Sequence, residues 1–268
     1  MLEWLQTVPS ERVKPPFPSH GPSPSERDIS FPRQKPKWLA LSLSYRLMRL
    51  FRWAVGDRRA IRFFLNANWI LWRFSFETIV EHYGGDFCNV AFCLSDELIG
   101  TLIPRGGSVL DIGCGGGRLS RLASKYAGHV VGIDYDPRNI AMAKAENTQP
   151  HVEFRLGDVT TMLPGEQFDL ALLVAVLEHI EDVDGLLTQI HRVTKRLVVE
   201  VPDFDSDVLN LVRRDLGCTW YTDADHVREY TRPVLKQHLE RNGWMPVQWE
   251  SRGGNMLVVA EARAPEAA

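Results

Sequence analysis

Residues 109–118 read VLDIGCGGGR, and an apolar run ending in Asp134 follows. The pattern is that of a buried strand closed by an acid, a glycine turn at Gly113, Gly115 and Gly117, and a helix. Glycines spaced in this way let a backbone approach a bulky nucleotide-like ligand, because side chains there would fill the ligand's space. Asp134 lies 21 residues beyond Gly113, where a carboxylate can accept hydrogen bonds from both hydroxyls of a ribose. The stretch therefore predicts a site for a nucleoside-containing cofactor in an α/β fold.

Two residues separate this turn from the dinucleotide fingerprint, which needs a small third residue for close helix–strand packing. Counted from Gly113 that position is Arg118, which is large and charged. Asp111 would repel a pyrophosphate and attract a cationic sulfonium or ammonium group. An NAD-dependent oxidoreductase is disfavoured on both counts. The turn resembles the first motif of the class I S-adenosylmethionine-dependent methyltransferases.

The rest of the chain is consistent with that resemblance over about 100–262. HVEFRLGD (151–158) is an alternating strand ending in Gly157-Asp158. FDLALLVAVLEHI (168–180) is a continuous apolar run, as expected of a strand covered on both faces, and it closes in Glu178-His179. A helical stretch (183–194), a strand (196–203), a helix ending at Gly243 and two strands separated by Ser251–Gly254 complete the pattern. The fold this implies is Rossmann-like: a doubly wound, seven-stranded sheet, mostly parallel with an antiparallel C-terminal strand, plus an N-terminal helical extension. The resemblance implies S-adenosylmethionine as cofactor, with Asp111, Gly113, Cys114 and Gly115 around its methionine end. It implies Asp134 and Tyr135 at the ribose, and Asp158, Val159 and Val174 around the adenine side. The chain also resembles ubiquinone-type O-methyltransferases, but Ala175 stands where these often carry a glutamate, so no metal site is expected. The usual Pro-Gly-Gly-like turn before the fifth strand is replaced by Val193-Thr194-Lys195-Arg196.

His179 follows the fourth strand, whose carboxyl end faces the ligand crevice in open α/β sheets, and is a candidate general base. In the alternative, Glu178 and His179 only cap the next helix or brace the loop. His226 is a second candidate within a polar run, where a solvent-exposed loop histidine is the plainer reading. The acceptor implied is a small molecule, a sugar or a lipid-linked compound, methylated at a hydroxyl oxygen. A non-catalytic S-adenosylmethionine-binding partner subunit is the alternative class.

Composition is that of a globular chain: 44% apolar and 24% charged, with net charge −3. Four cysteines (88, 93, 114, 218) without CxxC spacing read as reduced cytoplasmic thiols; Cys88 and Cys93 read as small buried residues rather than a soft-metal pair. Residues 1–36 hold eight of the sixteen prolines and are expected to be extended or disordered, without the character of a signal peptide. The domain division expected is 1–36, a basic helical cap over 37–99, and the methyltransferase domain over 100–268.

The basic region is the unusual part. Between 31 and 75, ten cations face Asp57 alone, so this segment carries +9 and the rest of the chain −12. Helical spacing puts Leu39, Leu43, Leu47, Leu50 and Ala54 on one face, with Arg46, Arg49 and Arg52 opposite and Trp38, Tyr45 and Trp53 beside them. A second helix is expected from about Arg58 to His82. Two compatible roles fit: a cap supplying a substrate wall, and peripheral contact of residues 37–75 with an anionic inner membrane face. No uncharged apolar run reaches the ~18 residues that span a bilayer. Nucleic acid is a disfavoured partner, since no RNA-binding module accompanies the cations.

Overall fold

The computed structural model describes residues 39–83, 95–161, 165–218 and 225–263, the side chains of 39–41 excepted. The proline-rich segment, Cys88, Cys93 and most of the polar run before Asp225 lie outside the described residues. The chain divides into two compact units, one of 1–91 with Val208–Trp220 and one of Phe92–Asp207 with Tyr221–Ala268.

The larger unit is the α/β sheet. Its strands are β1 (Ser108–Ile112), β2 (His129–Asp134), β3 (Val152–Leu156), β4 (Leu170–Val174), β5 (Arg196–Pro202), β6 (Trp244–Arg252) and β7 (Asn255–Ala262). They lie in the order β3-β2-β1-β4-β5-β7-β6. The first five pair in parallel; β7 runs antiparallel to both β5 and β6. The expected doubly wound sheet with an antiparallel C-terminal strand is thus observed. Gly253 and Gly254, both at positive φ, make the turn between β6 and β7.

Continuous apolar strands are required here because both faces are covered. Successive residues of one strand point to opposite faces: Leu110, Ile112, Leu173 and Val199 enter one core, and Val109, Leu170, Leu172 and Val198 the other. The first core is completed by Leu186, Leu187 and Ile190 of helix Val183–Ile190, by Leu235 and Leu239 of helix Arg232–Arg241, and by Trp244. The second is completed by Leu119 and Ala123 of helix Arg118–Ala123 and by Ile99 of helix Asp96–Leu102. Helix Pro137–Glu146 begins where Asp136 accepts a hydrogen bond from the Arg138 amide and proline occupies the first turn. At the position lacking the Pro-Gly-Gly turn, the buried Thr194 hydroxyl lies 3.2 Å from the Arg196 amide, which donates to it and fixes the entry to β5.

The smaller unit is helical: α1 (Leu39–Val55), α2 (Asp57–Tyr83) and α3 (Val208–Leu216). Gly56, at φ 83°, separates α1 from α2. Phe51 packs against Phe63 and Phe64 at ring separations of 5.2 and 5.8 Å. Helices α2 and α3 are joined by the buried Arg213, whose guanidinium donates to Asn68 at 2.9 Å, and by Arg58, which donates to the Asp215 carbonyl at 3.3 Å.

Candidate active site

The site begins at the carboxyl end of β1, where strand order reverses between β2 on one side and β4 on the other. The amides of Gly113 and Cys114 both donate to the Ile133 carbonyl, at 2.8 and 2.9 Å, which pins the turn to β2. Gly113, Gly115 and Gly117 all have positive φ, a conformation that L side chains rarely adopt. Their surroundings differ. A Cβ on Gly113 would meet Val176 at 2.6 Å, and one on Gly117 would meet Phe154 at 2.8 Å. Only Gly115 of the three faces open space. The structure thus refines the sequence argument: two glycines are demanded by packing, and one lies where a ligand could approach the backbone.

Asp134 is buried at the end of β2 and accepts from the Gly115 amide at 2.8 Å, the Asp136 amide at 2.9 Å and the Asn139 side chain at 3.2 Å. The carboxylate expected at the ribose is therefore held by the glycine turn itself. Tyr135 beside it is exposed. Asp111 is buried and accepts from the Ser120 hydroxyl at 2.6 Å rather than from the turn's backbone. Burial pushes its carboxyl up to about 6, against the opposing Ser120 hydrogen bond. Cys114 is buried, and burial pushes its thiol up, so the sulfur stays protonated. Asp158 is exposed and accepts from the Thr160 amide and hydroxyl at 2.9 and 2.7 Å, while Val159 turns into the core. Val174 is half-buried at the end of β4. Arg118, the residue that departs from the dinucleotide pattern, pairs with Asp96.

Past β4 the chain passes through Ala175 at φ 56°, the one non-glycine residue at positive φ among the described residues. A left-handed alanine costs on the order of 1–2 kcal/mol, and such strain tends to collect at functional sites. The short helical turn Leu177–His179 follows. Glu178 is not an exposed helix cap. It is 1% exposed, its Oε2 has no hydrogen-bond partner, and burial pushes its carboxyl up to about 7. Its backbone carbonyl accepts from the amides of Val227 and Arg228, which ties the His226 segment to this turn.

The two candidate histidines are brought together, with ring centroids 4.9 Å apart and near perpendicular. His226 corrects the reading as a solvent-exposed loop histidine. Its side chain is buried, with Nδ1 3.3 Å from an equally buried Glu229 carboxylate oxygen. The polarity of the run around it hid this, although the Glu229 spacing of three residues was visible. His179 is the more exposed of the pair, with Nδ1 3.4 Å from the Asp225 carbonyl. Glu178, His179 and His226 each offer an atom within 4.8 Å of the others, a donor set that could hold a cation. Sequence reasoning missed Ser120, Asn139 and Glu229, since each acts through a contact that only the fold creates.

Comparison with known proteins agrees with this geometry. Residues 110–197 match the family model described as a methyltransferase domain. A ubiquinone biosynthesis O-methyltransferase of Rhodopseudomonas palustris is 38% identical over 143 residues, covering 50% of this chain and 56% of the relative. The chain thus spans about half the length of that relative. Among solved structures, the Haloferax volcanii complex between a methyltransferase activator and a putative methyltransferase aligns with TM-score 0.57 at 16% identity, over 67% of this chain and 93% of the other. A magnesium protoporphyrin IX methyltransferase from Synechocystis, with bound S-adenosylhomocysteine, aligns with TM-score 0.53 at 18% identity, over 65% and 84%. These last two likenesses speak to fold. Residues 110–197 are thus similar to methyltransferase domains, and the sheet around them has the fold seen in S-adenosylmethionine-dependent methyltransferases.

Proposed function

We propose that the chain transfers a methyl group from S-adenosylmethionine to a hydroxyl oxygen of a small-molecule, sugar or lipid-linked acceptor. The observation that carries this reading is the close approach of Gly113 to Val176, which sets the glycine turn against the loop bearing Glu178 and His179. The names of the relatives, ubiquinone biosynthesis O-methyltransferases, support an oxygen acceptor. S-adenosylmethionine supplies a methyl group on a sulfonium sulfur, already activated for displacement.

The chain's own part is to bind, to align and to take one proton. Asp134 would exchange the Gly115 amide for ribose hydroxyls, a trade of one donor for two at a carboxylate already in place. Asp111 lies beneath the turn, where its ionised form would favour a cation. A neutral imidazole would accept the acceptor's hydroxyl proton as the oxygen bonds to the methyl carbon and that carbon's bond to sulfur breaks, leaving S-adenosylhomocysteine; His226 and His179 are the candidates for this role. The Glu229 carboxylate favours the tautomer of His226 that carries its proton on Nδ1.

A second reading has one observation in its favour: Glu178, His179 and His226 could instead ligate a divalent cation that polarises the hydroxyl. Chelation separates the two, since a base mechanism keeps its turnover in excess EDTA and a metal mechanism loses it. Cofactor use is tested by calorimetric titration with S-adenosylmethionine, S-adenosylhomocysteine and NAD. We expect binding of the first two, weakened by about 1.5–3 kcal/mol in Asp134→Ala, the scale of hydrogen bonds to a charged group. NAD binding as tight as that of S-adenosylmethionine would overturn the reading.

A further inference from the structure

We propose that the helical unit is a docking surface for an anionic phospholipid bilayer, with the apolar stripes of α1 and α2 seated among the acyl chains and their arginines among the headgroups. Helix α1 has three distinct sides. Met48, Phe51 and Val55 are half-buried, and Phe51 is the ring that packs on α2. Leu43, Leu47 and Leu50, spaced i, i+4, i+7, form a second side that stays exposed. Arg46 and Arg49, expected on the opposite face, instead flank it with Trp53, the tryptophan 84% exposed. Helix α2 repeats the arrangement: Phe63, Ile70 and Phe74, again one helical face, are all exposed.

This is not the ordinary scatter of surface leucines. Of the twenty-three large apolar side chains that stay exposed among the described residues, sixteen belong to the helical unit. The described part of that unit also holds nine arginines against four acidic residues. Apolar stripes bordered by arginine, with tryptophan at the edge, match the layered chemistry of a bilayer surface. No described helix is long and apolar enough to cross a membrane, so the contact lies in the plane of the interface.

The charge pattern selects this occupant over others. A second copy laid stripe to stripe would bring Arg46 and Arg49 against their own kind, a repulsion that an anionic lipid surface turns into attraction. A nucleic acid would use the cations and leave the leucine and phenylalanine stripes in water.

The test is co-sedimentation of the full chain with vesicles of phosphatidylglycerol and phosphatidylcholine, against vesicles of phosphatidylcholine alone. Binding to the anionic vesicles only, released as salt rises, is the expected result. Changing Arg46 and Arg49 together to Ser should weaken the partitioning about thirtyfold, at about 1 kcal/mol per cation near the surface. Leu43→Ser with Leu47→Ser should abolish it; both positions are exposed, so the circular dichroism spectrum and S-adenosylhomocysteine binding should not change. Absence of binding at low salt, equal binding to neutral vesicles, or a concentration-dependent dimer dispersed by the leucine variant would each overturn the proposal. Because the readout is lipid binding, its outcome is independent of the methyl-transfer reading.

Discussion

Leu172 in β4 and Leu50 in α1 are the same side chain in opposite surroundings. The first is wholly inaccessible between two layers of helices; the second is 59% exposed. The contrast holds for the units they belong to. In the α/β unit the central strands send alternate residues into one of two closed cores, so the unit satisfies most of its apolar surface from within. Among the described residues of α2 only Ala60, Leu65 and Val80 are buried, and the stripes beside them are left to water. Apolar patterning of similar strength therefore carries two meanings. Where the pattern closes on itself it makes a fold, and where it stays open beside cations it makes a surface.

The chemistry assigned to the α/β unit gives the largest expected effect. His226→Ala should lower turnover about 10²–10⁴-fold, the usual worth of a positioned base, while S-adenosylhomocysteine affinity stays within twofold. Glu229→Gln should reproduce a smaller part of that loss with the same selectivity. If His179→Ala shows the large drop instead, the more exposed ring is the base and His226 only braces it. Steady-state kinetics beside calorimetry makes the distinction.

Core truncation tests the contrast directly. Trp244 is fully buried and its indole N–H donates to the Leu187 carbonyl at 3.1 Å. Trp244→Ala should cost about 3–5 kcal/mol of unfolding free energy. Leu50→Ala should stay within about 0.5 kcal/mol, as expected of an exposed site. Urea denaturation measures both. Comparable losses would mean that the exposed stripe of α1 packs against something when the chain is in solution.

A smaller effect follows from Glu178. Its folded-state carboxyl is raised from 4.5 to about 7, so the folded state binds the extra proton between those values. The contribution to stability is complete below pH 4.5 and is lost as pH rises towards 7, by an amount on the order of 2–4 kcal/mol. Asp111, raised from 3.8 to about 6, adds a slope of the same sign. Asp184 opposes it at the acid end: burial is outweighed by hydrogen bonds from Arg241, His238 and Asn242, which hold its carboxyl at about 2, and its contribution is lost as pH falls from 3.8 to that value. Glu178→Gln should flatten the loss between pH 5 and 7 in urea titrations. An unchanged slope would remove Glu178 as its source.

The sheet was legible because its causes are local. Runs such as LALLV at 170–174 can be continuous only if both faces are covered, and glycine with an acid at each strand end marks a turn that must bend sharply. The same locality made α1 and α2 visible from spacing and charge. Only the fold decided which glycine faces open space, because Gly113 and Gly117 are constrained by Val176 and Phe154, 63 and 37 residues away in the chain. Only the fold buried Glu178 and His226 and set the two histidine rings 4.9 Å apart across 47 residues of sequence. Periodicity and turn chemistry act between neighbours and are written in the sequence itself. Burial, desolvation and the convergence of side chains depend on which distant segments close over a residue, and for this chain the closure of the 225–230 segment over the end of β4 is what turned two separate histidines into one site.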